Sequence, residues 1–196
     1  MLAAVILAAG ESRRMGSPKA LLPHQGRPFP RHLLDITRHP KIGLTRVVLG
    51  ANAEEILSRL ELDPAIVVIN ENWTEGQLSS IHAALRSLPV GATDGMVLCL
   101  VDHPLISANL IDELIEQFYA TGKPIVVPMY QGRRGHPVIF SSTLYAELLA
   151  APLDIGARAV VRAHASEVHE VPTIEEGVVL NLNDPDTLRR ALGIET

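Results

Sequence analysis

The sequence predicts an α/β fold in which a mostly parallel sheet carries helices on both faces. Short runs rich in valine, isoleucine and leucine alternate with helical patterns along the first two thirds of the chain, which is typical of parallel strands joined by helices. The runs are almost continuously apolar, and this indicates strands buried on both faces. The 196 residues contain no long polar linker, so we predict a single α/β domain with a substrate-binding region towards its C-terminal end.

The predicted elements follow in order along the chain. The apolar runs predict strands over Ala3–Leu7, Arg46–Leu49, Ile66–Ile69, Met96–Val101 and Ile125–Val127. The helical spacing predicts helices over Arg31–Arg38, Ala53–Leu60, Ser79–Leu88 and Asn109–Ala120. Ser107 is the expected N-cap of the last of these helices, which ends near Gly122. The final third adds predicted strands at Pro137–Phe140 and Glu167–Val171 and predicted helices at Leu144–Leu149, Ala157–His164 and Asp186–Leu192.

The composition argues against several classes of protein. Seventeen Lys and Arg residues against 22 Asp and Glu residues give a net charge of −5, which disfavours a nucleic-acid-binding protein with a broad basic face. Cys99 is the single cysteine and lies inside an apolar run, so we expect a buried thiol, no intrachain disulfide and a cytoplasmic protein. The apolar N-terminal run is too short to span a bilayer, and we therefore expect no membrane association.

A glycine-containing loop with three cations follows the first predicted strand. Gly10 and Gly16 allow the backbone to approach a ligand, and Arg13, Arg14 and Lys19 supply charge for phosphate groups. The carboxyl end of a parallel strand is also where α/β sheets bind ligands. The loop has neither the Walker A pattern of P-loop enzymes nor the Gly-x-Gly-x-x-Gly pattern of dinucleotide-binding folds. The alternative is a basic surface turn.

Three later segments carry polar residues that can complete a site. Asp102 directly follows an apolar strand, and Mg²⁺ binds one or two carboxylates together with substrate phosphates; a turn or capping aspartate is the alternative. Arg133 and Arg134 in GRRGHPVIF form either an anion site or a solvated loop tip. His136 in the same segment is either a substrate ligand or a structural histidine. Asp184 has the position of an N-cap before the last predicted helix.

The segment LAAGESRRMGSPKALL (7–22) resembles the LAAGxSxRMGxxKxLL signature of the MobA-like nucleotidyltransferases, and later segments match in the same order over nearly the whole chain. Within that family the chain is most similar to the molybdenum cofactor cytidylyltransferases, the MocA-like group, because it has an RGHPV segment and LAAG where the guanylyltransferases usually have LAGG. The resemblance implies a Rossmann-like sheet of the GT-A, nucleotide-diphospho-sugar transferase type. It also implies transfer of CMP from CTP to molybdopterin, with release of pyrophosphate and Mg²⁺ as the cofactor.

The resemblance assigns roles to individual residues. It implies nucleotide binding by Leu7, Ala8, Ala9, Gly10, Arg13, Lys19, Gly76 and Ser80. It implies catalytic roles for Lys19, Arg13 and Asp102, a metal site formed by Asp102 and Asn183, and acceptor binding by Arg133, Arg134 and His136. The family carries Asp-Ile-Asp-Thr-Pro or Asn-Ile-Asn-Thr-Pro near the C-terminus, whereas this chain has Asn-Leu-Asn-Asp-Pro. Either the metal binds more weakly there or Asp184 shares in binding it.

The resemblance also implies a division within the domain, with nucleotide binding in residues 1–105 and acceptor binding in residues 106–196. A guanylyltransferase acting on the same pterin is the nearest alternative, followed by a cytidylyl- or uridylyltransferase acting on a sugar or polyol phosphate. A further alternative is a module that binds nucleotide or pterin without catalysis. The expected partners are the small-molecule substrates and a molybdoenzyme, or its chaperone, that receives the product.

Overall fold

The computed structural model describes residues 1–12, 17–24 and 26–192. The strands in this part of the chain are β1 (Leu2–Ala8), β2 (Pro23–His24), β3 (Arg27–Pro28), β4 (Ile42–Leu49), β5 (Val67–Ile69), β6 (Gly95–Leu100), β7 (Ile125–Tyr130), β8 (Arg133–Arg134), β9 (Val138–Ser141) and β10 (Val168–Pro172). The α-helices are α1 (Phe29–Ile36), α2 (Ala53–Leu60), α3 (Gln77–Ser87), α4 (Ala108–Thr121), α5 (Tyr145–Ala150), α6 (Arg158–Ala163) and α7 (Pro185–Leu192). None of the described helices is long and apolar enough to cross a membrane.

One sheet with the strand order β10–β7–β9–β6–β1–β4–β5 forms the centre of the domain, and β8 pairs with β7 at its margin. The strands from β6 to β5 are parallel to their neighbours, as β10 is to β7. β9 runs antiparallel to both β6 and β7. This reversal follows from the short connection 131–137, which is too short for a crossover helix. The predicted fold, a mostly parallel sheet of the α/β class, is confirmed.

The two faces of the sheet carry different helices. Alternate side chains of a strand point to opposite faces, so Leu2 and Ile6 of β1 pack with α1, α2 and α4 on one face. Val5 and Leu7 pack with α3, α5 and α6 on the other face. All seven residues of β1 are buried, which explains why its sequence is apolar without alternation.

Most predicted elements agree with the structure to within two residues at each end, and α2 agrees at both ends. The first half of β4 was missed because Gly43 and Thr45 interrupt the apolar pattern, although this half pairs with β1. α1 begins at Phe29, earlier than predicted, because Pro30 occupies the first turn, where a missing N–H costs nothing. Ser107 caps α4 as predicted, since its hydroxyl accepts a hydrogen bond from the Leu110 N–H.

The sheet brings two polar loops together at one edge. β1 lies between β4 and β6. The chain continues from β1 to β4 on one side and later returns to form β6 on the other side, so the strand order changes direction at β1. Ligands bind α/β sheets at such a topological switch point. Leu7 of β1 pairs with Leu100 of β6, and the two strands therefore end at the same level. The loop that contains Gly10 and the loop that contains Asp102 start side by side.

Candidate active site

Two adjoining cavities open at this edge of the sheet. The smaller has a volume of about 360 Å³ and lies over the ends of β1 and β6. The larger, of about 790 Å³, extends over β6, β9 and β7 towards α6. Gly76, Gln77, Leu100 and Asp102 line both cavities. Asp102 therefore stands at the border, where molecules bound in the two cavities would meet.

The predicted nucleotide-binding residues lie mostly in the smaller cavity. Its walls include Leu7, Ala9, Gly10, Lys19, Gly76 and Ser80. Ala8 is different, because its side chain packs in the core beside Ile6 and Ala20. Arg13 lies outside the described residues. A nucleotide-binding role for each of these residues stays a prediction.

Trp73 lines the smaller cavity and was not singled out from the sequence. It approaches the first loop closely because residue 50 is glycine. A Cβ atom at Gly50 would lie 2.5 Å from the Cβ of Trp73 and 2.8 Å from the carbonyl oxygen of Ala9. The Ala51 N–H also donates to that carbonyl oxygen, at 3.0 Å. In the sequence, Trp73 is recognisable only as the single tryptophan, placed after a predicted strand. Its proximity to Ala9 depends on the order of the strands in the sheet, which the sequence does not show.

Ser80 is held by a buried polar group beneath the cavity. The amide nitrogen of Asn70 donates to the hydroxyl oxygens of Ser79, at 2.8 Å, and Ser80, at 3.0 Å. The single proton of the Ser79 hydroxyl is shared between the backbone carbonyls of Asn72 and Gly76. Neither serine is the N-cap of α3, since the helix begins at Gln77 and its N-cap position is Gly76. The serines instead fix the start of α3 against the end of β5.

Lys19 connects the first loop with the C-terminal segment. Its Nζ donates a hydrogen bond to Oδ1 of Asn183 and lies 3.7 Å from Oδ2 of Asp102. The side chains of Lys19 and Asp102 are only 11% and 20% exposed. The backbone N–H of Lys19 donates to the Ser12 hydroxyl at 3.0 Å, which anchors the residue to its own loop. The structure thus brings together three of the predicted site residues from distant parts of the chain.

The C-terminal segment is attached directly to the loop that contains Asp102. The Leu182 N–H donates to the Asp102 carbonyl at 2.9 Å. The carboxylate of Asp184 accepts hydrogen bonds from the N–H and the hydroxyl of Thr187, and these bonds, the backbone one foremost, lower the pKa of Asp184. Asp184 is therefore the N-cap of α7, which is one of the two roles that the sequence suggested for it. Asn181, in the same segment, lines the larger cavity.

Arginines line the larger cavity from two sides. Arg133 and Arg134 come from β8, and Arg158 and Arg162 from α6. Arg134 forms an ion pair with Glu170, with 2.6 Å between Nε and Oε1. Among the described residues, no acidic side chain forms an ion pair with the other three. Residues 158 and 162 are one turn apart, so both guanidinium groups extend from the same face of the helix.

His136 lies deeper in the same cavity, next to His103. The ring centroids are 5.2 Å apart. Burial lowers the pKa of His103, against the influence of Asp102 and of backbone hydrogen bonds. Burial also lowers the pKa of His136, to about 4, and the neighbouring His103 adds to this effect. Both rings are therefore neutral near pH 7, and their Nδ1 atoms are buried without a partner among the described residues.

The floor of the larger cavity is apolar. It is formed by side chains of β6, β7 and β9, including Leu98, Val127, Val138 and Phe140. The cavity thus combines an apolar floor with solvent-exposed cations. This combination suits a ligand that has an apolar or planar body and an anionic group.

The oxygen atoms around Lys19 fit a divalent cation. Mg²⁺ takes oxygen ligands and usually keeps waters and substrate phosphates beside one or two protein carboxylates. Asp102 supplies a carboxylate and Asn183 an amide oxygen, and both already face the cationic Nζ of Lys19. No group of three acidic, histidine or cysteine side chains suited to a metal occurs in the described part of the chain. Asp102 and Asn183 would thus need substrate phosphates to complete the metal's coordination.

Two buried residues, Cys99 and His82, have structural roles. Cys99 is buried, and burial raises the pKa of its thiol to about 12, so it is a core residue as expected. His82 lies inside α3, and its Nε2 is 2.9 Å from the carbonyl oxygen of Leu148 in α5. That contact fixes α5 against α3.

Comparisons with known proteins extend over nearly the whole chain. A family model described as the MobA-like NTP transferase domain matches residues 4–168. The molybdenum cofactor guanylyltransferase of Cereibacter sphaeroides is 31% identical over 196 residues, which cover 95% of this chain and 93% of that protein. Nicotine blue oxidoreductase of Paenarthrobacter nicotinovorans is 29% identical over 170 residues, with 81% and 80% covered.

Solved structures share the fold. The crystal structure of Rv0371c from Mycobacterium tuberculosis H37Rv has a TM-score of 0.85 and 28% sequence identity, with 100% of both chains covered. The structure of Rv0371c in complex with manganese has a TM-score of 0.80 and 27% identity, with 99% of both chains covered.

Proposed function

Because the chain belongs to the MobA-like NTP transferase family and is therefore a nucleotidyltransferase, we propose that it transfers CMP from CTP to the phosphate of molybdopterin and releases pyrophosphate. One observation carries the proposal. The two cavities meet at Asp102, beside Lys19. A triphosphate in the smaller cavity would present its α-phosphate to an acceptor phosphate in the larger one.

The proposal includes a division of the chain. Every described residue that lines the smaller cavity falls between Leu7 and Asp102, which supports nucleotide binding by residues 1–105. Most of the larger cavity belongs to residues 127–181, which supports acceptor binding by residues 106–196. Arg133, Arg134 and His136 are the proposed acceptor ligands, and the position of Arg158 and Arg162 in the same cavity adds these two.

The reaction joins two anions, so positioning and charge compensation are the main requirements. An oxygen of the acceptor phosphate attacks the α-phosphorus, and the new P–O bond forms as the bond to pyrophosphate breaks. Pyrophosphate leaves with the bonding electron pair. A phosphate monoester is largely ionised at pH 7, because its second pKa is about 6. The nucleophile therefore needs no general base.

Cations of this chain compensate the developing charge. Lys19 can reach the α-phosphate from its place at the border of the cavities, and Arg13 is the proposed partner of the leaving pyrophosphate. Asp102 and Asn183 would hold Mg²⁺, which polarises a phosphoryl oxygen when bound. The manganese complex of Rv0371c supports a divalent metal as the cofactor in general terms.

Guanine is the second candidate base. The named relative that covers 95% of this chain is a molybdenum cofactor guanylyltransferase. The proposal of cytosine depends on Ala9, whose methyl group lines the smaller cavity. Glycine at this position would leave room for a larger base to approach the backbone. An Ala9→Gly variant should consequently shift the preference from CTP towards GTP.

The decisive experiment measures pyrophosphate release by the purified protein with Mg²⁺ and molybdopterin. CTP, GTP, ATP and UTP are compared, and each is also assayed without acceptor. Release that requires both molybdopterin and CTP supports the proposal, whereas release with GTP alone selects the second candidate. Folded protein that releases no pyrophosphate with any nucleotide contradicts the proposed acceptor.

A fold shared with a relative named as an oxidoreductase does not select an acceptor by itself. Sugar phosphates and polyol phosphates therefore belong in the same assay as alternative acceptors. Binding of nucleotide and pterin without turnover would favour the non-catalytic module. We extend the proposal to a cytoplasmic location and to a molybdoenzyme, or its chaperone, as the protein that receives the product.

A further inference from the structure

The ammonium group of Lys19 occupies the position between two oxygens that the proposed function gives to the metal. Asn183 accepts its hydrogen bond through Oδ1, and Oδ2 of Asp102 lies 3.7 Å away. The side chains of Lys19 and Asp102 are largely withdrawn from solvent. Repulsion between a cation and an ammonium group in one such position is strong, because water screens it little.

We propose that Lys19 serves as a built-in cation in the nucleotide-free protein and is displaced from Asp102 and Asn183 when the metal arrives with the nucleotide. Lys19 then turns from these oxygens to the phosphates of the nucleotide. The inference rests on the divalent-metal part of the proposed function. It gives Asn183 a further role as a positioning residue, which holds Lys19 beside the smaller cavity before the substrate binds.

The surrounding contacts identify the lysine side chain as the moving part. The backbone of Lys19 is fixed through the Ser12 hydroxyl, and the Asp102 loop is fixed to the C-terminal segment through the Leu182 N–H. A lysine ammonium group is a point charge on a flexible four-carbon stem. The exchange of partners therefore needs no movement of the sheet, of the Lys19 backbone or of the Asp102 loop.

Two consequences follow for metal binding. The free protein binds a divalent ion weakly, because the ion must displace Lys19 without a phosphate to receive it. A nucleotide supplies that phosphate, so metal and nucleotide strengthen each other's binding. By linkage, the coupling is the same whichever ligand is added first.

The test measures Mn²⁺ binding to the nucleotide-free protein by electron paramagnetic resonance, in which the signal of the hydrated free ion is counted. Lys19→Met keeps the apolar stem and removes the charge. We expect it to tighten Mn²⁺ binding about tenfold, equivalent to about 1.4 kcal/mol. Arg158→Met is the matched control, because it removes a cation from the neighbouring cavity without touching Asp102 or Asn183, and it should change the affinity less than about twofold.

A second measurement repeats the titration with a non-hydrolysable CTP analogue. The ratio of the Mn²⁺ dissociation constants without and with the analogue should be about tenfold larger for the natural protein than for Lys19→Met, because only the natural protein has a lysine to displace. Lys19→Gln replaces Lys19→Met if circular dichroism shows that the latter is unfolded.

The possible outcomes are distinct. Equal Mn²⁺ affinity in the natural protein and the Lys19 variant overturns the inference, and so does an equal gain in the Arg158 control, which would indicate a general effect of charge. If Mn²⁺ does not bind to any form even with the analogue, the metal site of the proposed function fails together with the inference. The pyrophosphate assay with Mg²⁺ distinguishes failure of the inference from failure of the proposed function. A protein that is active with Mg²⁺ retains the proposed function even where the inference about Lys19 fails.

Discussion

The imidazole rings of His103 and His136 stand 5.2 Å apart in the wall of the larger cavity, although they follow different strands. The N–H of His136 donates to the Val178 carbonyl at 2.8 Å, and backbone hydrogen bonds with Gly177 and Val178 also involve the His103 ring. The turn at 177–178 thus joins both histidines. A positive charge on either ring would be buried beside the other ring, so the folded protein favours the neutral form of both histidines.

Acid should therefore destabilise the protein through His136. Its pKa is about 4 in the folded chain and about 6.5 when unfolded. The unfolded state binds the proton first, so the free energy of unfolding should fall as the pH decreases from about 6.5 to about 4, by about 3 kcal/mol for this residue. Urea denaturation at a series of pH values measures the slope. His136→Gln should flatten it, and an unchanged slope would contradict the assignment.

His164 should contribute with the opposite sign. Its Nδ1 lies 2.7 Å from the Glu167 carboxylate and its Nε2 lies 2.8 Å from that of Glu147, and these hydrogen bonds raise its pKa. The stabilisation is complete below the unfolded pKa of about 6.5 and is lost as the pH rises through the raised value. His164→Gln should lower stability at pH 5.5 more than at pH 8.5. Equal losses at both pH values would show that the ion pairs contribute nothing measurable.

Removal of the Lys19 charge should affect turnover more than nucleotide binding. We expect Lys19→Ala to lower kcat about 10²- to 10³-fold, because the charge acts chiefly on the transition state. Trp73 is the single tryptophan and lines the smaller cavity, so its fluorescence reports the nucleotide Kd directly. The Kd should change only a few-fold. Unchanged turnover would remove Lys19 from its catalytic role.

The arginines of α6 should determine acceptor affinity. A double variant, Arg158→Gln with Arg162→Gln, removes two cations that face the larger cavity without an ion pair among the described residues. We expect the KM for the acceptor to rise at least about tenfold, because charge-assisted hydrogen bonds contribute about 1.5–3 kcal/mol each. The KM for the nucleotide should stay unchanged.

Arg59→Gln is the control for this prediction, because Arg59 lies on α2 and pairs with Glu55 at the surface. It should leave both KM values unchanged. If the double variant raises the KM for nucleotide as much as that for acceptor, the larger cavity does not bind the acceptor separately.

The fold was largely predictable because a continuous apolar run in the sequence indicates each long buried strand. β1 and β6 are buried along their whole length, and α4 has its cap and its terminal glycine in sequence. The antiparallel direction of β9 was not predictable, because a run such as Val138–Phe140 is equally apolar in either direction. The short strands β2, β3 and β8 contain too few residues to show any period.

Those site residues were predictable that are charged and also directly follow a buried strand in the sequence or lie in the loop after one. Lys19 and Asp102 are charged residues in loops that follow buried apolar strands, which is where α/β sheets bind ligands, and the structure brings them to one border between two cavities. Trp73 and Arg162 were missed as site residues, because each belongs to the site only through contacts with elements that are distant in the chain. A tryptophan or a surface arginine taken alone has many ordinary uses.

The sequence by itself determined the class of the fold, the buried strands and the loop of Gly10 and Lys19, because apolar periodicity and turn chemistry are local properties of the chain. Tertiary structure alone decided the partners of those residues. That Lys19 meets Asn183 across 164 positions, and that Asp184 caps a helix while Asn181 faces a cavity, depends on the order and register of the strands. These in turn are set by the packing of both faces of the sheet, to which residues from the whole chain contribute.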